Sequence, residues 1–196
     1  MMKYKRKPSI RREKNKIIIS CEDSNEGASY KYFDLIIKKF NLEKKIQIID
    51  SKKKSTPLSV AKRAEKAYFK GDEVFIVVDK DEHNHEDAKQ FLKDSEIQDY
   101  YYIMSNPCFE YWLLLHEQLT NKPFDCSKGL CKELGKVLEK QGKKYYKTMD
   151  YRCFIDSIKI KKATEYSKNN YKKEFNPSTN MHILIGLLNL NNKICK

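Results

Sequence analysis

Residues 74–81 read Val74-Phe75-Ile76-Val77-Val78-Asp79-Lys80-Asp81, an unbroken apolar run that ends in two aspartates. A short run rich in β-branched residues predicts a strand buried on both faces, as found in parallel sheets. Asp79 and Asp81 are two positions apart, so in extended backbone their side chains project to the same side. The segment therefore predicts a central strand with a pair of carboxylates at its carboxyl end.

Strand and helix patterns alternate on both sides of this segment. Three more strands are predicted, at Lys16–Cys21, Lys45–Asp50 and Tyr100–Met104. Helices are predicted from Tyr30 to Asn41, from Ser55 to about Lys70, from His85 to Ser95, and from Pro107 onward with Asn106 as the cap. Four strand–helix alternations within about 120 residues imply an α/β fold with a mostly parallel four-stranded sheet and helices on both faces.

The pattern changes after Pro123, where helical signals are no longer separated by strands. Two long lysine-rich helices are predicted at 126–141 and 151–172, and a last helix follows Asn176-Pro177. The expected organisation is a basic N-terminal arm at 1–15, an α/β core at 16–122, and a helical C-terminal region at 123–196 that packs on the core.

The formal net charge is +13, and it is unevenly distributed. Residues 1–16 contain eight Lys or Arg and one acid, and residues 128–173 contain fourteen Lys or Arg and five acids, so two basic regions flank a mildly acidic middle. Basic surface attracts phosphate through counterion release, although a lysine-rich composition can also reflect genomic base bias. The candidate nucleic-acid contacts are Lys3, Lys5, Arg6, Lys7, Arg11, Arg12, Lys143, Lys144, Lys161 and Lys162.

The remaining composition argues against several classes of protein. No apolar run approaches the roughly eighteen residues of a transmembrane helix, and the basic N-terminus lacks the apolar stretch of a secretory signal. We therefore expect a cytoplasmic protein without a membrane partner. Six cysteines are scattered without a Cys-x-x-Cys pair, which does not favour a zinc site, and they are expected to be reduced and mostly buried.

A second acidic group follows the first predicted strand, where Cys21 is succeeded by Glu22 and Asp23. Ligand and catalytic sites of such sheets lie at the carboxyl ends of the strands, so Glu22 is expected close to Asp79 and Asp81. Carboxylate oxygens are hard ligands suited to Mg²⁺ or Mn²⁺. A carboxylate cluster between basic flanks is the arrangement that a metal-dependent phosphodiesterase needs. A single strand-end aspartate is often only a helix cap, so the combination is more specific than any one residue.

Four further residues are candidates near this edge, namely Asp23, Glu26, His83 and Glu110. Glu110 lies one turn into the predicted fourth helix, where it is either an additional acidic ligand or a complement to the helix dipole. His83 either contacts phosphate or a metal-bound water, or is an exposed side chain in an acidic loop. Glu26 belongs to the loop after the first strand and could line the site.

Four sequence blocks resemble RloB-like proteins. The first is Ile18-Ile19-Ser20-Cys21-Glu22-Asp23 followed by Tyr32-Phe33, and the second is Val78-Asp79-Lys80-Asp81-Glu82-His83. The third and most specific block is Ser105-Asn106-Pro107-Cys108-Phe109-Glu110-Tyr111-Trp112-Leu113-Leu114-Leu115-His116. The fourth is Asn176-Pro177-Ser178-Thr179-Asn180-Met181-His182, so the resemblance covers nearly the whole chain.

The resemblance implies a TOPRIM fold, a Rossmann-like catalytic core shared with topoisomerases, primases and OLD-type nucleases. In that fold a glutamate after the first strand acts as general acid or base, and an Asp-x-Asp after the third strand binds divalent metal. Those roles fall on Glu22, Asp79 and Asp81, with Glu22 also a candidate metal ligand. One position departs from the pattern, because Asp23 stands where many such proteins have glycine; it either adds a ligand or marks altered chemistry.

The sequence thus supports two hypotheses. The first is a Mg²⁺- or Mn²⁺-dependent nuclease that hydrolyses phosphodiester bonds in DNA or RNA, with tRNA among the candidate substrates. The resemblance implies that it acts in phage defence or abortive infection, often beside an ABC- or SMC-like ATPase. The second is a catalytically inactive TOPRIM-like module that binds nucleic acid or an ATPase. The joint presence of Glu22, Asp79 and Asp81 favours the enzyme, whereas the missing glycine favours the module.

Overall fold

The computed structural model describes residues 15–43, 45–51, 55–80, 84–173 and 175–188. The strands are β1 (Ile17–Cys21), β2 (Ile46–Ile49), β3 (Glu73–Asp79), β4 (Asp99–Asn106) and β5 (Ser178–Thr179). The helices are α1 (Ala28–Lys39), α2 (Pro57–Ala67), α3 (Glu86–Asp94), α4 (Glu110–Glu117), α5 (Ser127–Glu139), α6 (Ser157–Asn170) and α7 (Met181–Leu187), and a short 3₁₀ helix spans Tyr151–Phe154.

The strands form one sheet in the order β2-β1-β3-β4-β5. The pairs β1–β2, β1–β3 and β3–β4 are parallel, and β4–β5 is antiparallel. The predicted α/β fold with a mostly parallel sheet is therefore confirmed, and its overall order is compatible with a Rossmann-like fold. Because β1 and β3 are direct neighbours, the residues that follow them lie at the same edge of the sheet.

The prediction of four strands was wrong by one short strand. Ser178 pairs with Asn106 and Thr179 pairs with Ser105, so the helical region adds a strand to the core sheet. The pairing is supported by side chains, since Ser105 Oγ lies 2.9 Å from Thr179 Oγ1 and the backbone N–H of Met104 donates to Asn180 Oδ1 at 2.8 Å. Two polar residues have no strand periodicity, so the sequence pattern could not show a strand that tertiary contacts create.

Helices cover both faces of the sheet, as predicted. On one face, Ile18, Val74, Ile76 and Val78 pack with buried residues of α2 and α3. On the other face, a larger cluster joins alternate strand residues to α1, α4, α5, α6 and α7, with Tyr32, Phe33 and Trp112 fully buried at its centre. Burial of each large apolar side chain contributes about 1.5–3 kcal/mol, so this face is the main source of stability. Within the described ranges, no helix combines the length and apolar character that crossing a membrane requires.

Two helix boundaries show where local signals succeed and fail. Thr56 Oγ1 accepts the backbone N–H of Ser59, and Pro57 is the first residue of α2, so the predicted start at Ser55 is correct to within two residues. The predicted start of α4 at Pro107 was wrong, because the helix begins at Glu110 and Asn106 is the last residue of β4. Asn106 Nδ2 donates to the carbonyl of Phe175 at 2.7 Å, so its side chain joins two segments instead of capping a helix.

Candidate functional site

The carboxyl ends of β1 and β3 bring Glu22 and Asp79 together. The two strands are in parallel register with Cys21 opposite Val77, and the backbone N–H of Glu22 continues the ladder to the Val77 carbonyl at 3.1 Å. Two residues after Val77, the backbone N–H of Asp79 donates to Glu22 Oε2 at 3.1 Å. The glutamate carboxylate therefore lies directly against the end of the central strand, as the predicted topology requires.

Asp79 is a half-buried acid that lies among other carboxylates. Its Oδ1 accepts the backbone N–H of Phe109 at 2.8 Å, just before α4. Burial raises the pKa of the Asp79 carboxyl well above its ordinary value, and the carboxylates of Glu110, Asp23 and Glu22 raise it further, whereas the Phe109 N–H acts in the opposite direction. A role limited to capping α4 would not require three more carboxylates nearby, and a divalent cation would relieve their mutual repulsion.

Glu110 belongs to this group, and it is more closely partnered than the sequence suggested. It is the first residue of α4, not one turn into it, and it is buried. The Tyr145 hydroxyl donates to Glu110 Oε1 at 2.9 Å, and Lys147 Nζ lies 3.8 Å from the same oxygen. The carboxylate thus complements the α4 dipole and is held by two residues of the helical region.

Tyr145 and Lys147 are the site residues that sequence reasoning missed. Burial and the Glu110 carboxylate raise the pKa of the Tyr145 hydroxyl, so this group remains a hydrogen-bond donor near neutral pH. The same carboxylate raises the pKa of the Lys147 ammonium, whose side chain is 72% exposed and accessible to a ligand. The segment Lys143-Lys144-Tyr145-Tyr146-Lys147 interleaves basic and aromatic residues, and this pattern was the sequence signal that could have drawn attention to Tyr145 and Lys147.

Asp23 has a structural explanation in its own loop. Its Oδ2 accepts both the backbone N–H of Ser29 at 3.0 Å and the Ser29 hydroxyl at 2.9 Å, which closes the first turn of α1. Gly27 is required beside it, because a Cβ there would lie 2.3 Å from the Asp23 Cβ. The sequence left two explanations open for Asp23, an added ligand or altered chemistry. The structure adds a third, in which Asp23 shapes the loop while its charge still acts on Asp79.

Arg63 of α2 holds the carboxyl end of β1 from the other face of the sheet. Its Nη2 donates to the carbonyl of Cys21 at 3.0 Å, and its Nη1 donates to the Ser55 hydroxyl at 2.8 Å. These bonds fix the last residue of β1 immediately before Glu22. A lone arginine within a helix pattern gave no sequence signal for this role, which depends on a contact across 42 positions.

The other candidate residues are either exposed away from the acidic group or lie outside the described residues. Glu26 is exposed on the loop that precedes α1, and we leave it outside the acidic group. Asp81 and His83 lie outside the described residues, as does the basic arm with Lys3, Lys5, Arg6, Lys7, Arg11 and Arg12. Lys143, Lys144, Lys161 and Lys162 are all exposed.

The donor set fits a hard divalent cation, but the described part of it is incomplete. Glu22 and Asp79 offer carboxylate oxygens at the same sheet edge, which is the chemistry that Mg²⁺ or Mn²⁺ prefers. Among the residues that the structure describes, no three His, Cys, Asp or Glu side chains are grouped closely enough to hold a metal ion. Asp81, the predicted third ligand, is not among those residues.

Comparison with known proteins gives a family and nothing finer. No curated protein and no solved structure matches the chain. The sequence profile described as RloB-like protein matches residues 17–188, which span every described strand and helix from β1 to α7. The chain therefore belongs to the RloB-like family.

Proposed function

We propose that this protein is a metal-dependent nuclease whose site is the carboxyl edge of β1 and β3. The observation that supports it most directly is the placement of Asp79, a half-buried carboxyl that is held by the Phe109 N–H and whose own backbone N–H donates to Glu22. Its pKa is raised by burial and by the carboxylates of Glu110, Asp23 and Glu22. Strongly perturbed acids of this kind concentrate at functional sites. The exposed Lys147 ammonium beside the acids gives a phosphate a second point of attachment.

Each described residue has a distinct task in this proposal. Glu22 and Asp79 would hold Mg²⁺ together with Asp81, and the ion when bound polarises a phosphodiester and lowers the pKa of a coordinated water. The Phe109 N–H fixes the orientation of the Asp79 carboxylate. Glu22, held against the Asp79 backbone, is placed to ligate the metal or to accept a proton. Lys147 offers its charge to the phosphate, while Tyr145 keeps Glu110 in position.

The experiment is a cleavage assay on labelled DNA, bulk RNA and tRNA in Mg²⁺, Mn²⁺ or EDTA. Wild-type protein should cleave at least one of these polymers only with the divalent cation. Asp79→Asn is expected to abolish cleavage, because a neutral amide is a poorer ligand for Mg²⁺ than a carboxylate. Retention of full activity by Asp79→Asn would overturn the site assignment. Binding of nucleic acid without cleavage by the wild type would favour an inactive binding module.

Glu22→Gln distinguishes the two tasks proposed for Glu22. If Glu22 transfers a proton, calorimetry with Mn²⁺ should show unchanged metal affinity while cleavage fails. If Glu22 is a ligand, metal binding should weaken together with cleavage.

The biological setting is a separate part of the proposal. We expect the nuclease to act in the cytoplasm, and the resemblance to its family implies that it is an effector of anti-phage defence that associates with an ABC- or SMC-like ATPase. Its test is phage challenge of cells that express the protein with and without an ABC- or SMC-like ATPase. Protection that requires both proteins and intact Asp79 would support the role, and protection that persists in Asp79→Asn would contradict it.

A further inference from the structure

A basic and aromatic cavity lies next to the candidate nuclease site, in a part of the helical region that the acidic group does not use. Its volume is about 380 Å³, and it is lined by Lys143, Lys144, Tyr146, Met149, Asp150 and Cys153. This volume lies within the range of roughly 300–1,000 Å³ that small-molecule sites occupy. It offers room for a nucleoside unit but not for a double helix.

In the connection from α5 to the 3₁₀ helix, residues that contact Glu110 are adjacent in sequence to a residue that lines this cavity. Tyr145 and Lys147 both contact Glu110 Oε1. Tyr146, between them, instead lines the cavity and is 53% exposed. Tyr145 and Lys147 therefore face the acidic group of the proposed nuclease site, while Tyr146 faces the cavity.

The segment is held in place by several contacts. The backbone N–H of Lys143 donates to the Leu138 carbonyl at 3.0 Å, and the Tyr151 hydroxyl donates to the Lys147 carbonyl at 3.0 Å. Lys31 Nζ of α1 donates to the Thr148 carbonyl at 3.3 Å. The cavity is thus preformed, and a ligand would not need to order it.

The charge of the cavity matches a nucleic-acid strand. Lys143 and Lys144 are exposed cations. The acid in the lining, Asp150, is paired with Arg152, whose Nε donates to Asp150 Oδ2 at 2.7 Å. Cations along a groove with an exposed aromatic ring are the combination that binds single strands, because the ring stacks on a base while the cations contact the backbone.

We propose that this cavity binds an unpaired nucleotide, with its base stacked on Tyr146 and its flanking phosphates held by Lys143 and Lys144. The inference rests on the proposed function and refines it: the preferred substrate has a single-stranded segment at or beside the scissile phosphate. A fully paired duplex cannot deliver a base to Tyr146 without unpairing it.

The test is equilibrium binding in EDTA, where cleavage does not interfere. Fluorescence anisotropy compares a labelled single strand of about 12 nucleotides, within the site size of single-strand binding modules, with a blunt duplex of the same length. Wild type should bind the single strand more tightly. Tyr146→Ala should weaken that binding by about 5- to 150-fold, which corresponds to the 1–3 kcal/mol of one base stack, and should leave duplex binding unchanged.

Two variants make the outcome specific. Tyr146→Phe keeps the aromatic face and should bind as the wild type does. Phe69→Ala removes an aromatic of similar exposure, 60%, that lines a different cavity with Tyr68, Lys70, Glu96 and Gln98, and it should have no effect. A wild type without preference for the single strand would overturn the inference, as would Tyr146→Ala that weakens both ligands equally or neither.

The binding assay and the cleavage assay together separate this inference from the proposed function. If wild type never cleaves but Tyr146→Ala still loses single-strand binding, the cavity assignment stands and the nuclease assignment fails. If wild type cleaves with Mg²⁺ but Tyr146→Ala changes neither binding nor the rate on single strands, the nuclease stands and the cavity assignment fails.

Discussion

Two aspartates at opposite ends of β3 meet different environments. Asp72 precedes the strand, is 2% exposed, and accepts the backbone N–H groups of Lys16 at 2.9 Å and Phe69 at 3.1 Å. Asp79 ends the strand, accepts the backbone N–H of Phe109, and has its pKa raised by burial and by neighbouring carboxylates. The first aspartate ties two backbone segments together, whereas the second adds a charge where other acids already gather.

The two ends of β3 differ in what their carboxylates contribute to stability. At the amino edge, the carboxylate offsets the burial of its charge with two donors, and buried polar groups with such partners stabilise folds. At the carboxyl edge, repulsion between acids lowers stability in the absence of a cation. Local costs of this kind concentrate at functional sites, which is why the proposed site is assigned to the carboxyl end of β3.

The largest effect expected from this comparison is on cleavage. Asp79→Asn should lower the rate by more than about 100-fold, since loss of a residue that merely orients a metal ligand already costs 10- to 100-fold. Its stability should hold or rise, because the amide can still accept the Phe109 N–H and one repelling charge is removed. Cleavage assays and denaturant unfolding measure the two quantities.

Asp72→Asn is the matched control and should behave in the opposite way. Its amide turns a donor toward one of the two backbone N–H groups, so the free energy of unfolding should fall by about 1–3 kcal/mol, while cleavage by the folded protein is retained. If both variants lose stability and keep activity, the contrast between the two ends of β3 is wrong.

The second effect is stabilisation by the metal itself. Mg²⁺ at about 1,000 times its dissociation constant should stabilise wild type by about 4 kcal/mol, which for a chain of this size raises Tm by about 10 °C. Thermal unfolding in Mg²⁺ and in EDTA measures this shift. Asp72→Asn should show the same shift as wild type, and Asp79→Asn should show little. An equal shift in both variants would place the cation elsewhere.

The sequence made the carboxyl edge predictable because strong local signals determine it. The apolar run Val74–Val78 can only be a central strand, and a parallel neighbour then brings Glu22 to Asp79 whatever the details of the loops. The site residues Tyr145 and Lys147 were not predictable in this way. Tyr145 reaches Glu110 across 35 positions, and no local period encodes a contact of that range.

Contacts between distant residues also explain the errors at the start of α4 and in the strand count. Asn106-Pro107 has the composition of a helix start, yet the Asn106 side chain donates to Phe175 in the distant C-terminal region. Ser178 and Thr179 form a strand only because β4 offers an edge. In both places a tertiary hydrogen bond overrides the local preference.

Another polar group, the buried His116 of α4, gives a smaller and independent effect. Its Nδ1 donates to the Trp112 carbonyl at 2.8 Å, and its Nε2 accepts the Tyr32 hydroxyl at 3.0 Å, so the neutral ring is fully partnered. Burial lowers the pKa of His116 from 6.5 to about 4. The unfolded chain therefore binds more protons between these values, and stability should fall as pH drops from about 6.5 toward 4, by up to about 3 kcal/mol.

His116→Gln isolates this contribution, because every other titrating group is common to both proteins. The variant should be less stable than wild type at pH 7, but the difference should shrink as pH falls toward 4. Urea unfolding at a series of pH values gives both curves. A constant difference between them would mean that His116 does not titrate in this window and that its burial is not what sets its pKa.

The smallest effect expected is on the salt dependence of nucleic-acid binding, and it separates three pairs of lysines. The double variant Lys143→Gln/Lys144→Gln alters the cavity beside the carboxyl edge. The double variant Lys161→Gln/Lys162→Gln alters an exposed surface of α6. The double variant Lys66→Gln/Lys70→Gln alters exposed side chains near the amino end of β3. Each lost phosphate contact lowers the slope of log K against log salt by about 0.7 on single strands and about 0.9 on duplex. The first pair should lower the single-strand slope by about 1.4, the second pair should lower it less, and the third pair should leave it unchanged.

Binding titrations in EDTA over a range of salt concentrations measure these slopes. If the amino-edge pair flattens the slope as much as the cavity pair, the lysines act only through total charge, and the carboxyl edge is not where the strand binds.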